Sequence, residues 1–228
     1  MMKKIYIADD EKNIRNLISS FLENDGFFVK NFESGDELLK EFYKNPADML
    51  ILDIMMDGTD GLTICSEIRN MHNVPIIIVS AKDSEHDRII GISMGADDYL
   101  IKPFSPLELV ARVKSIFRRI NLSSDTLSTL QFSDIEIDVN SRICKTKNKI
   151  LDLTPTEFAL MVYMFQNSDR AVSREELLKN VWKFDFETDT RATDDVLKRL
   201  RKKLINTNVK IASVWGFGFK LEENDGNS

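Results

Sequence analysis

Met49-Leu50-Ile51-Leu52-Asp53 sets four apolar residues in a row against a terminal carboxylate. A short run without polar alternation reads as a strand buried on both faces, as in a parallel sheet. In open α/β sheets, chemistry collects just beyond the carboxyl ends of such strands, and Asp53 stands at that point. The pattern recurs on either side. Lys4-Ile5-Tyr6-Ile7-Ala8 runs into Asp9-Asp10, Ile76-Ile77-Ile78-Val79 into Ser80, and Tyr99-Leu100-Ile101 into Lys102-Pro103, while Phe27-Phe28-Val29 supplies one more strand.

Helical patterns separate these runs. Ile14, Leu17, Ile18, Phe21 and Leu22 follow the i, i+3, i+4, i+7, i+8 spacing of one buried face, and Asp25-Gly26 ends that helix. Ser34 with Glu37 forms a capping-box pattern for a helix through Tyr43, and helices are expected near 62–71 and 84–94. Ser105-Pro106-Leu107-Glu108 opens a fifth, with proline at the first helical position. Five βα alternations predict a doubly wound, five-stranded parallel sheet. Asp9, Asp10, Asp53, Ser80 and Lys102 then converge at one sheet edge.

The 228 residues suit two domains of ordinary size. Charged residues make up 30% and hydrophobic ones 43%, and the apolar runs are too short to span a bilayer. Met-Met-Lys-Lys leads straight into a strand without signal-peptide architecture. Cys65 and Cys144 lie far apart and outside any metal spacing, and they read as free thiols in a reducing cytosol. A cytoplasmic protein with no membrane partner is expected. The formal net charge of −6 opposes generic nucleic-acid binding, yet Arg191 to Leu204 holds six basic residues against two acidic ones. A local basic stripe is what DNA binding requires.

Clustered carboxylates repel and raise each other's pKa. A hard divalent cation relieves that repulsion, and Mg²⁺ takes one or two carboxylates together with waters and phosphate oxygens. Asp9 and Asp10 therefore read as metal holders, and Asp53 as a carboxylate nucleophile for phosphorus. Lys102 and the Ser80 hydroxyl can cover charge on the transferred group.

Asp9-Asp10, Asp53, Ser80, Lys102-Pro103 and Gly95-Ala96-Asp97-Asp98-Tyr99 resemble the receiver domain of two-component response regulators, a flavodoxin-like fold. The resemblance covers residues 3–120 and implies phosphoryl transfer from a sensor histidine kinase to Asp53. It implies Mg²⁺ on Asp10 and Asp53, with Asp9 through water and the Met55 backbone carbonyl as a further ligand, and a cis peptide before Pro103. It makes Ser80 and Tyr99 a switch pair, the hydroxyl moving to the phosphoryl group as the ring turns inward. It also suggests ion pairs Arg88–Glu108, Asp98–Arg112 and Asp97–Arg119 across a two-fold homodimer. Asp57 departs from the family, which usually has proline there.

Residues 121–129 are polar and aperiodic, a linker pattern. Short alternating segments at 135–139, 141–144 and 150–151 suggest a small antiparallel sheet. Thr154-Pro155-Thr156-Glu157 is a capping box for a helix to about Gln166, and Ser173 with Glu176 marks a second. In a third, at about 191–205, Val196, Leu197, Leu200 and Leu204 face a core while Arg191, Lys198, Arg199, Arg201 and Lys202 fall largely on the other side. That is the footprint of a recognition helix in the major groove. A hairpin through Trp215-Gly216-Phe217-Gly218-Phe219 follows. Leu153 to Phe158, Arg199 to Leu204 and Gly216 to Phe219 together resemble the winged helix-turn-helix output domain of OmpR/PhoB-type regulators, over about 130–222. Arg199 and Arg201 are the expected base contacts, and Lys198, Lys202 and Arg191 the expected phosphate contacts. Trp215 replaces a common wing arginine and is placed to stack on sugar or backbone. Asp195 and Val196 replace an apolar-then-polar pair, which raises the prospect of a shifted helix register.

The expected organisation is a receiver at 1–120, a linker at 121–129, a small α+β winged helix-turn-helix domain at 130–222 and a polar tail at 223–228. The expected function is a transcription factor switched by phosphorylation, with promoter DNA, a sensor kinase, RNA polymerase and a second copy as partners. It accepts a phosphoryl group and dephosphorylates itself without being a turnover enzyme. An aspartyl-phosphate phosphatase would need a general acid two residues after the nucleophile, where Met55 stands. The alternative is a regulator of the same fold that binds DNA without phosphorylation.

Overall fold

A computed structural model describes residues 2–120, 129–147, 149–182 and 191–224, with backbone only at Glu85, Arg119, Trp182, Arg191 and Ala192. The chain divides between Lys114 and Ser115 into two compact units. That division falls inside a continuous helix, not at the expected boundary near 120, and the expected linker lies outside the described residues except for Thr129, which opens a strand.

The first unit alternates β1 (Lys4–Ala8), α1 (Lys12–Asn24), β2 (Phe28–Phe32), α2 (Gly35–Lys44), β3 (Met49–Asp53), α3 (Gly61–Arg69), β4 (Ile76–Ser80), α4 (Glu85–Ser93) and β5 (Asp98–Ile101), and α5 (Pro106–Ile120) begins in it. The five strands are parallel in the order β2-β1-β3-β4-β5. Every residue of β3 and β4 is buried, at about 1.5 to 3 kcal/mol for each large aliphatic side chain removed from water. The strand order reverses between β1 and β3, and in this topology the reversal opens a crevice at the carboxyl ends of those two strands. Asp9 and Asp53 sit there.

Helix α1 departs from its expected face. Ile18 and Leu22 are buried, but Leu17 is 46% exposed, and Arg15 and Ser19 turn inward instead. Arg15 donates to the Asp9 carbonyl and pairs with Glu33, and Ser19 donates to Asn31 Oδ1 at 2.8 Å. Polar groups on neighbouring loops and on β2 reward a rotation that apolar spacing does not encode. The boxes at Ser34 and Ser105 are likewise partial: Glu37 accepts from the Glu33 N–H, and the Glu108 carboxylate takes Arg112.

Asp97 corrects another expectation. Its side chain is 0% exposed, and it accepts from Arg69 Nη2 at 2.8 Å and from the Ile76 N–H at 3.1 Å. Arg69 also holds the carbonyls of Gly95, His72 and Val74. Asp97 therefore joins two loops inside the first unit, and the Arg119 side chain expected opposite it lies outside the described residues.

The second unit carries β6 (Thr129–Phe132), β7 (Ile135–Asp138) and β8 (Ile143–Thr146) as an antiparallel sheet. Next come α6 (Pro155–Gln166), the two-residue β9 (Val172–Ser173), α7 (Arg174–Leu177), a π-helical turn (Leu178–Trp182), α8 (Arg191–Leu204), β10 (Val209–Val214) and β11 (Gly218–Glu223). The Thr154 box is complete, with side chain to backbone in both directions. At Ser173 only half forms, because Glu176 turns to Tyr163 and Arg170. The hairpin β10–β11 gains a third strand in β9, too short to read from sequence. A Cβ at Gly218 would lie 2.1 Å from the Val172 carbonyl oxygen, so this close approach needs glycine.

Replacing Arg69 by methionine strands the buried Asp97 carboxylate. The substitution is expected to cost about 3 to 5 kcal/mol in urea unfolding; a loss under about 1 kcal/mol would contradict a buried, paired charge at Asp97.

Candidate functional site

Strands β1, β3 and β5 end in charge at one edge of the sheet. Lys102 Nζ lies 2.8 Å from Asp9 Oδ2, 2.7 Å from Asp53 Oδ2 and 3.2 Å from Glu11 Oε1. Asp9 and Asp53 are buried and Asp10 is exposed, and one ligand oxygen from each lies within 4.8 Å of the others. Burial raises the Asp9 pKa, against the pull of Lys102. Burial also works against the charge on Lys102, yet hydrogen bonds to Asp53 and Asp9 hold its pKa above the ordinary lysine value. Glu11 escaped the sequence reading. Its only signal was a third consecutive acid after β1.

The Met55 N–H donates to Asp53 Oδ1 at 3.1 Å, fixing the carboxylate over the loop after β3. Ser80 is fully buried and its Oγ accepts from the Lys82 N–H at 3.2 Å. Tyr99 is buried and its hydroxyl donates to the Lys82 carbonyl at 2.9 Å. The peptide between Lys102 and Pro103 is cis. Asp57 is exposed.

An all-oxygen trio of carboxylates with one exposed member suits a hard divalent cation such as Mg²⁺. Asp9, Asp10 and Asp53 supply that donor set.

Of the residues expected at the dimer surface, Asp98, Glu108 and Arg112 meet within the single chain. Arg112 Nη1 reaches both Asp98 oxygens at 2.9 Å, and Arg112 Nη2 lies 2.7 Å from Glu108. Glu108 thus meets Arg112 instead of Arg88. Arg88 is half-buried, and the Arg119 side chain lies outside the described residues.

In the second unit Val196, Leu197, Leu200 and Leu204 are all buried, so the departures at Asp195 and Val196 do not shift the register of α8. Lys198 and Lys202 are exposed on one stripe, with half-exposed Asp195 beside them. Arg191 begins the helix, with its side chain outside the described residues. Trp215, at the hairpin tip where Gly216 takes φ +73°, is 99% exposed. The two expected base contacts sit elsewhere. Arg199, its side chain 12% exposed, faces the buried Glu157 carboxylate at 3.5 Å, and Lys203 reaches that carboxylate at 2.7 Å. Arg201 donates to the Ile211 carbonyl and to Ser213 Oγ. Buried charge needs a partner, and Glu157 draws Arg199 off the open stripe.

Two family models match the chain: the response regulator receiver domain over residues 5–114, and the C-terminal part of transcriptional regulatory proteins over residues 147–221. The transcriptional regulatory protein ResD of Bacillus subtilis (strain 168) is 38% identical over 229 residues, 96% of this chain and 95% of that one. The regulatory protein VanR of Enterococcus faecium is 40% identical over 231 residues, 98% of this chain and 100% of that one. The chain is an OmpR/PhoB-type response regulator. A solved relative, the Thermotoga maritima OmpR/PhoB homolog DrrB, matches with a TM-score of 0.52 and 29% identity over 96% of this chain and 99% of that one. As a response regulator the chain acts in two-component signalling and transcription regulation, and receiver domains bind Mg²⁺ through an acidic pocket of this kind. Among the described residues no helix is long and apolar enough to cross a membrane.

The raised pKa of Asp9 has a thermodynamic sign. A carboxyl whose folded pKa exceeds its unfolded one favours the fold when protonated, and that contribution is lost as pH rises through the folded value. At neutral pH the Asp9 charge therefore costs stability. Asp9→Asn is expected to raise the melting temperature at pH 7 without divalent cation by a few degrees, and to shrink the further rise on adding Mg²⁺. Thermal melts at both conditions check this; an equal Mg²⁺ response in variant and wild type would remove Asp9 from the cation site.

Proposed function

We propose that phosphorylation of Asp53 by a partner sensor histidine kinase favours receiver homodimers, which bring two winged-helix domains to two DNA half-sites. The observation that carries this reading is the Asp53 carboxylate held 2.7 Å from Lys102 at the end of β3, beside Asp9 and Asp10. An Asp53 oxygen attacks phosphorus, the bond from phosphorus to the kinase's histidine nitrogen breaks, and that nitrogen keeps the electron pair. Lys102 offers an ammonium to the charge on the transferred group. Asp10 and Asp53, with Asp9 through water and the Met55 carbonyl, would hold Mg²⁺, which would supply the remaining charge neutralisation when bound. Hydrolysis of the acyl phosphate by water resets the site, so the chain accepts and releases phosphate without being a turnover enzyme.

The Ser80 hydroxyl turns to the phosphoryl group, and the inward position that Tyr99 already takes, with its hydroxyl on the Lys82 carbonyl, is held by that turn. The signal then reaches the surface bearing Arg88, Glu108 and Arg112, where the pairs within one chain exchange for pairs between chains. Linking two DNA-binding domains raises avidity through effective concentration. On each half-site Lys198, Lys202 and Arg191 meet phosphates and Trp215 stacks against sugar or backbone at the wing. Such a regulator works in the cytoplasm, on promoter DNA and alongside RNA polymerase.

Two measurements test this. With Mg²⁺ and a small acyl phosphate, the wild type is expected to gain a retarded band on a phosphate-affinity gel and to shift toward dimer in size exclusion, while Asp53→Ala does neither. Uptake without any shift in association, or a shift in Asp53→Ala, sinks the coupling. For DNA, Lys202→Ala is expected to lower the magnitude of the log–log salt slope by about 1; an unchanged slope moves Lys202 off the DNA face.

A further inference from the structure

Arg201 lies on the flank of α8 that meets the hairpin. Its Nε donates to the Ile211 carbonyl at 2.8 Å, its Nη2 donates to Ser213 Oγ at 2.9 Å, and its guanidinium stands 5.6 Å from the centroid of the Phe219 ring. Phe219 is buried on β11, directly opposite Ser213 in the β10–β11 register. A second guanidinium, that of Arg174 at the start of α7, stands 4.6 Å from the same ring. Arg174 Nε also lies 3.2 Å from both carboxylate oxygens of Asp194, in the first turn of α8. Asp194 precedes Arg201 by two helical turns on the same flank of α8. One phenyl ring and two guanidiniums thus tie α7, both halves of α8 and both hairpin strands together.

We propose that Arg201, with Arg174 and Phe219, sets the angle between the recognition helix and the wing, and so governs DNA recognition as a positioning residue and not as a DNA contact. This rests on the DNA-binding reading above. Trp215 at the wing tip and the exposed lysines of α8 can engage one duplex together only in a fixed mutual geometry. Holding that geometry before binding removes an ordering cost from the binding step. The polar capacity of Arg201 is already directed at backbone and hydroxyl oxygens of β10, and cation–π contact with a buried ring holds its planar fork in place. A lysine could not make the paired donation and the stacking at once.

The test uses the full-length protein as wild type, Arg201→Met and Phe219→Leu. Two probes are needed: poly(dI-dC) duplex for non-specific binding, and a random-sequence duplex library for site preference. A positioning role predicts three results for Arg201→Met. The salt slope on poly(dI-dC) stays unchanged, because no phosphate contact is lost. Affinity for the site that the wild type enriches falls about tenfold. Preference weakens across all base positions of the enriched site together. Phe219→Leu, which removes only the ring platform, reproduces all three. A slope reduced by about 0.9 would make Arg201 a phosphate contact, and relaxation confined to one base pair would make it a base reader. Either result overturns the proposal, as does an unchanged affinity. If Arg201→Met fails to fold by circular dichroism, Arg174→Met and Phe219→Leu carry the same readouts. A wild type that enriches no site overturns the DNA-binding reading and the positioning role with it.

Discussion

An ammonium group held between two buried carboxylates is the constraint on which the first unit turns. Lys102 Nζ sits within 2.8 Å of both Asp9 and Asp53, although these three residues come from three strands separated by up to 93 positions. Two buried carboxylates side by side are costly, and removing their cation would strand both. The parallel sheet solves this by bringing β1, β3 and β5 to a common edge, so that one lysine serves two acids. Asp10 stays exposed at the same place. The frame keeps a buried carboxylate, a fixed cation and an exposed third acid within reach of one another.

The second unit applies the same electrostatics to a different end. Glu157 is buried at the start of α6, where its carboxylate completes a capping box and takes Lys203 and Arg199 from α8. Arg201 is spent on the other flank, against β10 and Phe219. The six basic residues of α8 are therefore not one patch. Lys198 and Lys202 face outward, while Arg199, Arg201 and Lys203 hold the helix in place. Half of the basic charge on α8 thus goes to holding the helix in its domain.

Much of this was legible in the sequence for a simple reason. Unbroken apolar runs such as Ile76 to Val79 admit few structures other than a doubly buried strand, and whatever follows such a strand lands at the sheet edge. Asp9, Asp53, Ser80 and Lys102 were found that way. The misreadings share a cause as well. Asp97, Arg199 and Arg201 were assigned by motif position or helical face, but their partners (Arg69, Glu157, Ile211 and Ser213) lie elsewhere in the sequence and answer to the charge balance of the packed domain. Arg15 in α1 shows the same effect, since a loop carbonyl and Glu33 decide which way it points. Two-residue β9 carries no periodicity at all.

On the proposed reading Asp53 is the phosphoryl acceptor of this charge frame. Intact-protein mass spectrometry after incubation with Mg²⁺ and a small acyl phosphate, followed by peptide mapping of the adduct, tests it most directly. One phosphoryl group per chain is expected, on the peptide containing Asp53. An adduct on any other residue, or none under conditions where the protein still binds DNA, would contradict it.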